Sequence, residues 1–285
     1  MGVVALFIMS GVFIYARFIE PKRLFIERTT IYLNQETQQD QTPEIKIALF
    51  GDVHRGVYKN SLSLESIVKR VNAENPDMVI IPGDFVYELP KENIGSALSG
   101  LRGIQAPVFA VTGNHDVGFP GEDVGAEVTS ALEAINIKVI DNKIEKVTLK
   151  GKEITLVGLS DLWQGRAEYS LLEKVKPEDF VVVVTHNPDT TFKLSSPEKA
   201  DLLLAGHTHG GQIRLPLLFR HAIPTHYDFD KGLHEANSLK VFVTPGIGMV
   251  GLPFRFLIPP QMDIITLNFQ KSIKNFSHIV EPKQK

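Results

Sequence analysis

The stretch Ile45-Lys46-Ile47-Ala48-Leu49-Phe50-Gly51-Asp52-Val53-His54 runs from an apolar segment into a glycine and then into two metal-binding side-chain types. The same order recurs four times. Apolar runs at 78–81, 108–111, 181–184 and 202–205 lead into Gly83-Asp84, Gly113-Asn114-His115-Asp116, Thr185-His186-Asn187 and Gly206-His207-Thr208-His209. Five of the nine histidines therefore fall where strands should end and loops begin, which is where α/β sheets build their sites.

Working outward, amphipathic stretches at 62–73, 91–101 and 124–134 alternate with the first strands and read as helices. Later the rhythm changes. Residues 144–149 and 153–159 flank Lys150-Gly151-Lys152, a hairpin connection, and further strands are expected at 241–244 and 264–267 with few long helices between them. This pattern predicts an α/β chain with a mixed pair of sheets covered by helices, rather than one parallel doubly wound sheet. There is no internal repeat of fixed period.

At 285 residues the chain is long enough for one large domain with appendages. Its net charge of -3 and scattered basic residues argue against a nucleic-acid partner. The absence of cysteine excludes disulfides, thiolate metal sites and a Cys nucleophile, so any metal must be held by nitrogen and oxygen.

Residues 1–16 carry no charged side chain, and extending the run to Ile19 gives a spanning helix if Arg17 snorkels to the interface. A buried core helix is the alternative; a cleaved signal peptide lacks its basic leader. Lys22, Arg23 and Arg28 follow the run and place the catalytic domain in the cytoplasm by the positive-inside rule, with the exported face as the alternative. The expected organisation is a transmembrane or anchor helix at 1–19, a juxtamembrane segment and tether at 20–43, a catalytic domain at 44–270 and a polar tail at 271–285. The protein is expected to be single-pass in the inner, cytoplasmic membrane.

Asp52 and His54 are one residue apart, so at an extended strand end both side chains point the same way and reach one cation. His207 and His209 repeat the spacing. One such pair would read as structural histidine; two pairs, with Gly-Asp and Gly-Asn-His-Asp, reverse that reading.

The five blocks, in this order, resemble the calcineurin-like metallophosphoesterase superfamily over 51–209. The string Gly206-His207-Thr208-His209-Gly210-Gly211-Gln212, the N-terminal apolar segment and Glu20-Pro21 resemble its membrane-associated bacterial YkuE/YaeI-like branch, related to LpxG-type enzymes. The resemblance implies a four-layer α/β/β/α sandwich. It also implies two divalent ions: Asp52, His54 and His209 on one, Asn114, His186 and His207 on the other, and Asp84 bridging both. Mixed nitrogen and oxygen donors suit Mn, Fe or Zn. Two such ions, less Asp52, Asp84 and a bridging hydroxide, leave a net positive centre that attracts a phosphate and activates a water. His115 is then the expected general acid. Asp116 is expected either to orient it or to cap the loop.

The expected activity is metal-dependent cleavage of a phosphoester or pyrophosphate bond, with a lipid-linked substrate and the membrane as partners. Hydrolysis of UDP-2,3-diacylglucosamine in lipid A synthesis is the narrower alternative. A non-catalytic, metal-stabilised binding protein is the alternative of another class, against which His115 and Asp116 both argue. Residues 213–226, with Leu215, Leu217, Leu218, Phe219, Arg214 and Arg220, read either as an apolar, basic mouth for a lipid phosphate or as a packed loop. Arg255, on the Gly-rich loop 246–255, reads as a phosphate contact or a solvated charge, and Trp163 as pocket lining or core. No role is expected for His221, His226, His234 or His278.

Overall fold

The computed structural model describes residues 2–33, 43–58, 62–216, 218–269 and 278–279. Leu217, the Gln-rich part of the expected tether at 34–42 and most of the expected tail lie outside them. In chain order the elements begin with helix α1 (Gly2–Ile14) and strands β1 (Phe25–Tyr32), β2 (Ile45–Leu49) and β3 (Arg55–Gly56). There follow α2 (Leu64–Glu74), β4 (Met78–Pro82), β5 (Val86–Tyr87), α3 (Ile94–Leu98), β6 (Val108–Val111), α4 (Gly125–Glu133), β7 (Ile137–Val139), β8 (Lys143–Leu149) and β9 (Lys152–Gly158). The last are β10 (Val181–Val184), β11 (Leu202–Ala205), α5 (Phe219–Ala222), β12 (Gly232–Ala236), β13 (Leu239–Val243), β14 (Gln261–Asn268) and β15 (His278–Ile279).

Two mixed sheets carry the fold, with strand orders β1-β14-β2-β4-β6-β7 and β15-β12-β13-β11-β10-β9-β8. In the first, β2, β4, β6 and β7 run parallel; in the second, β9, β10, β11 and β13 do. The carboxyl ends of β2, β4, β6, β10 and β11 each lead into one of the five blocks. Helices α2, α3 and α4 cover the outer face of the first sheet, and a second apolar cluster, including Ile47, Ile80, Val182 and Leu204, fills the space between the sheets. The outer layer over the second sheet is made of short 3-10 turns, Leu171 and Leu172 among them, rather than long helices.

Local chemistry explains the helix that opens the first crossover. Ser63 caps α2 by accepting the Ser66 N–H, Asn75 closes it in the left-handed region, and Leu64, Ile67, Val68 and Val71 form its buried stripe. The expected helix at 91–101 is instead a short α3 between two 3-10 turns.

Strand β1 lies within the expected juxtamembrane segment, ahead of the expected domain boundary at residue 44. It pairs in parallel with β14 from Phe25–Gln261 to Tyr32–Asn268, and Ile31 enters the inter-sheet core. Ile31→Ala should therefore cost roughly 2–5 kcal/mol in urea unfolding. A change within about 0.5 kcal/mol, typical of an exposed site, would make the segment a tether after all. The apolar N-terminal segment continues as helix through Lys22, and Gly2–Lys22 is long and apolar enough to cross a membrane. None of the α1 residues is buried.

Candidate metal centre

Where the two sheets' carboxyl ends meet, the five blocks converge. Asp52, His54, Asp84, His207 and His209 all have φ between 45° and 73°, a region uncommon for side-chain-bearing residues. The expected extended geometry for Asp52-x-His54 is therefore replaced by left-handed turns. Glycine makes room for them: a Cβ on Gly246, at φ 67°, would come within 2.5 Å of the Asp52 side chain, and one on Gly113 would overlap the Asp84 carboxylate.

The side chains form two groups. His54 Nε2 and His209 Nε2 lie 3.0 Å apart, with His209 Nε2 3.4 Å from Asp52 Oδ1. His186 Nε2 lies 3.0 Å from Asn114 Oδ1 and 3.1 Å from His207 Nδ1. Asp84 Oδ2 stands between them, 3.4 Å from His54 Nε2 and 3.2 Å from His186 Nε2. Asp52, His54 and His209 can share one ion; Asp52, Asp84 and His186 also lie close enough for a second, so Asp52 as well as Asp84 reaches both groups.

Donor chemistry fits cations. Donors about 2.1 Å from an ion and at right angles to one another are about 3.0 Å apart, the spacing seen here. His186 Nδ1–H donates to Pro82 O at 2.7 Å, and His207 Nε2–H to Pro224 O at 3.0 Å, leaving the opposite nitrogen of each ring with its lone pair turned inward. The Nδ1 atoms of His54 and His209 are buried without a partner. Burial holds the His54 and His207 imidazoles down to about 3 and His209 well below its ordinary value, so all three are neutral donors.

The carboxylates supply the opposite charge. Burial pushes Asp52 up to about 7 with help from the Asp84 charge, against His186, Arg255 and the His207 N–H. Burial also opposes ionisation of Asp84, but the neighbouring imidazoles, His186 foremost, hold it well below the usual carboxylate range. In turn burial would keep His186 neutral, yet the Asp84 charge and hydrogen bond, with Asp52 and Asp161, push it up to about 10. The cluster demands positive charge at its centre.

The groups form the floor of a cavity of about 420 Å³. Trp163 lines it rather than joining the core: the residue is 39% exposed, and its ring meets His207 edge-on, 4.6 Å between centroids. His115 stands on the wall with its ring 5.1 Å from that of His54, while its backbone N–H donates to Asp84 Oδ1 at 2.9 Å. Its ring packs against Tyr87, 5.0 Å away. Burial lowers its pKa.

Asp116 takes the geometry of the loop cap. Its carboxylate accepts the Phe85, Val86 and Gly113 N–H groups at 2.9–3.2 Å, holding the Asp84 and Asn114 loops together. Arg255 is neither solvated nor turned to the cavity. It is fully buried, donating to the carbonyls of Gly248, Ile258, Pro245 and Gly246 at 2.9–3.1 Å, behind Asp52. Asp161, a buried carboxylate whose charge acts on His186, was not singled out from sequence, and Glu20, which entered there only through the resemblance, accepts the Leu257 and Ile258 N–H groups. Glu20 sits beside a proline after an apolar run, the one sequence signal available for it. His221 and His226 are exposed; His234 is buried, with its ring edge-on to Phe229.

An α/β/β sandwich with imidazole and carboxylate groups gathered at its strand ends is the architecture of a metal-dependent hydrolase. A family model described as calcineurin-like phosphoesterase matches residues 45–211, more than half of the chain, and the chain belongs to that family of metallophosphoesterases. It is 29% identical over 264 residues, 90% of each chain, to YkuE of Bacillus subtilis, an uncharacterized metallophosphoesterase. It is 28% identical over 218 residues, 74% of this chain and 77% of the relative, to the phosphodiesterase YaeI of Escherichia coli. Among solved structures, the phosphopantetheinyl hydrolase of Mycobacterium tuberculosis aligns over 72% of this chain and 90% of its own, with TM-score 0.46 and 15% identity.

Replacing Asp116 by Ala would strand three buried N–H groups and should destabilise the protein by roughly 3 kcal/mol or more in urea unfolding. Asp116→Asn, which keeps an acceptor oxygen, should cost less. Equal losses in the two variants would contradict the cap.

Proposed function

We propose that the chain is a membrane-anchored phosphodiesterase that uses two divalent ions to cleave a phosphodiester or pyrophosphate bond in a lipid-linked substrate. The observation that carries it is the pair of donor groups sharing Asp84 on the floor of a cavity whose wall presents His115. Asp52, His54 and His209 would hold one ion and Asn114, His186 and His207 the other, with Asp84 shared between the two groups. The name of the E. coli relative supports the diester class. Mn, Fe or Zn suits the donor set.

The ions, when bound, supply positive charge to the phosphate oxygens and lower the pKa of a water that serves as nucleophile. The chain's own residues do the rest. His115 delivers a proton from its ring to the leaving oxygen, held in place through its backbone bond to Asp84 and its packing against Tyr87. Asp116 fixes the two loops that carry Asp84 and Asn114, and acts on the reaction only through them. Gly2–Lys22 anchors the domain, and the exposed Leu215 and Leu218 favour the apolar mouth over the packed loop for residues 213–226.

With Mn²⁺, His115→Ala should retain its metal content but lose about 10²–10⁴-fold in turnover of an alkyl diester, and much less with a nitrophenolate leaving group that needs no proton. Equal losses on both substrates would remove the acid role. Asp84→Asn should lower metal content and rate together, read by elemental analysis and the same assay. A fully loaded Asn variant would speak against bridging.

A further inference from the structure

A second cavity of about 440 Å³ lies between α1 and two loops of the catalytic domain. Ile8, Val12 and Phe13 form one wall; Ile213, Leu215 and Phe256 form the other. Every lining residue is apolar, and Phe13 meets Phe254 edge-on, 5.3 Å between centroids. Ile213 also lines the cavity over the metal centre, so the two spaces share a wall. Leu218, Leu252 and Leu257 are 58–63% exposed around this edge of the domain.

Depth decides what fills the groove. The 21 residues of Gly2–Lys22 span about 31 Å as helix, close to the roughly 30 Å of a bilayer's hydrocarbon core. The groove follows the helix from Ile8 to Ala16, about 12 Å, so its far end lies at the level of lipid tails. Irregular backbone survives there only when its polar groups are satisfied within the protein. At this edge the N–H groups of residues 214 and 255–258 all have partners. Arg214 N–H donates to Phe256 O, Phe256 N–H to Gln212 O, and Arg255 N–H to Ala16 O, at 2.9–3.1 Å. Leu257 and Ile258 N–H donate to the Glu20 carboxylate, and the Arg214 guanidinium turns away to Gly210 O and Asp230. The two loops are equipped to stand in hydrocarbon.

We propose that this groove is a binding site for an acyl chain of the substrate, which passes from the bilayer along α1 and past Ile213 to present its phosphate at the metal centre. The inference rests on the lipid-linked reading above and adds to it a site and a direction of entry. Trp163 and His115 also line the catalytic cavity and would face the substrate's polar head group.

The test uses the full chain in phosphatidylcholine nanodiscs with Mn²⁺ and a series of 4-nitrophenyl alkyl phosphates from ethyl to hexadecyl. The wild type should cleave the hexadecyl diester with kcat/KM about tenfold or more above the ethyl diester, since each buried methylene favours binding. Val12→Trp and Ile8→Trp, both on α1, fill the groove while keeping the surface apolar. Each should leave the ethyl rate unchanged and lower the hexadecyl rate about tenfold from that of the wild type; all three proteins share the bilayer, so partitioning cancels between them. Crosslinking with a diazirine-tailed phosphodiester should label residues 213–216 or 254–256 in the wild type and lose that label in Val12→Trp. If the filled variants keep both the chain-length gain and the label, the groove is not the acyl site, though the lipid-linked reading stands. If the wild type cleaves the ethyl diester with no chain-length gain, the lipid-linked reading falls, and the groove with it.

Discussion

Two carboxylates, Asp52 and Asp84, are buried side by side at the junction of two sheets, and the rest of the structure is arranged around the charge they bring. Burying an unpaired charge is costly, so such a pair persists only where positive charge meets it. Arg255 supplies some from behind Asp52. The remaining demand falls where His54, His186, His207 and His209 turn ring nitrogens toward one another, a donor set suited to divalent cations. It also accounts for five left-handed residues, each costing on the order of 1–3 kcal/mol, which the strand ends and close glycines hold in place.

The N-terminal segment is tied to this junction rather than hung from it. Glu20 holds the backbone at Leu257 and Ile258, Arg255 binds Ile258 O and the Gly246 turn, and the Gly248 N–H donates to Asp52 O at 2.7 Å. A hydrogen-bonded path therefore runs from the end of the apolar helix to a metal-centre residue. The strand β1 extends that attachment into the first sheet.

Much of the site was legible because its residue types are short, local and placed after apolar runs, so strand ends and side-chain chemistry could be read together. The strands at 181–184 and 202–205 and the hairpin around Gly151 needed no long-range information. What escaped depended on tertiary contact. The strand β1 lay among Lys22, Arg23 and Arg28, whose charges read as a membrane flank, and its partner β14 is more than 200 residues away. Asp116 sits beside His115 in sequence, yet its carboxylate turns to backbone N–H groups from another loop. Arg255 looked solvated because charge usually is; only the fold shows four carbonyls gathered to receive it.

The most direct measurement is electron paramagnetic resonance of the full chain titrated with Mn²⁺, paired with elemental analysis. The account predicts two ions per chain, with the spectrum of an exchange-coupled pair appearing as the second binds, since both groups share Asp84. A single uncoupled ion per chain, or two without coupling, would contradict it.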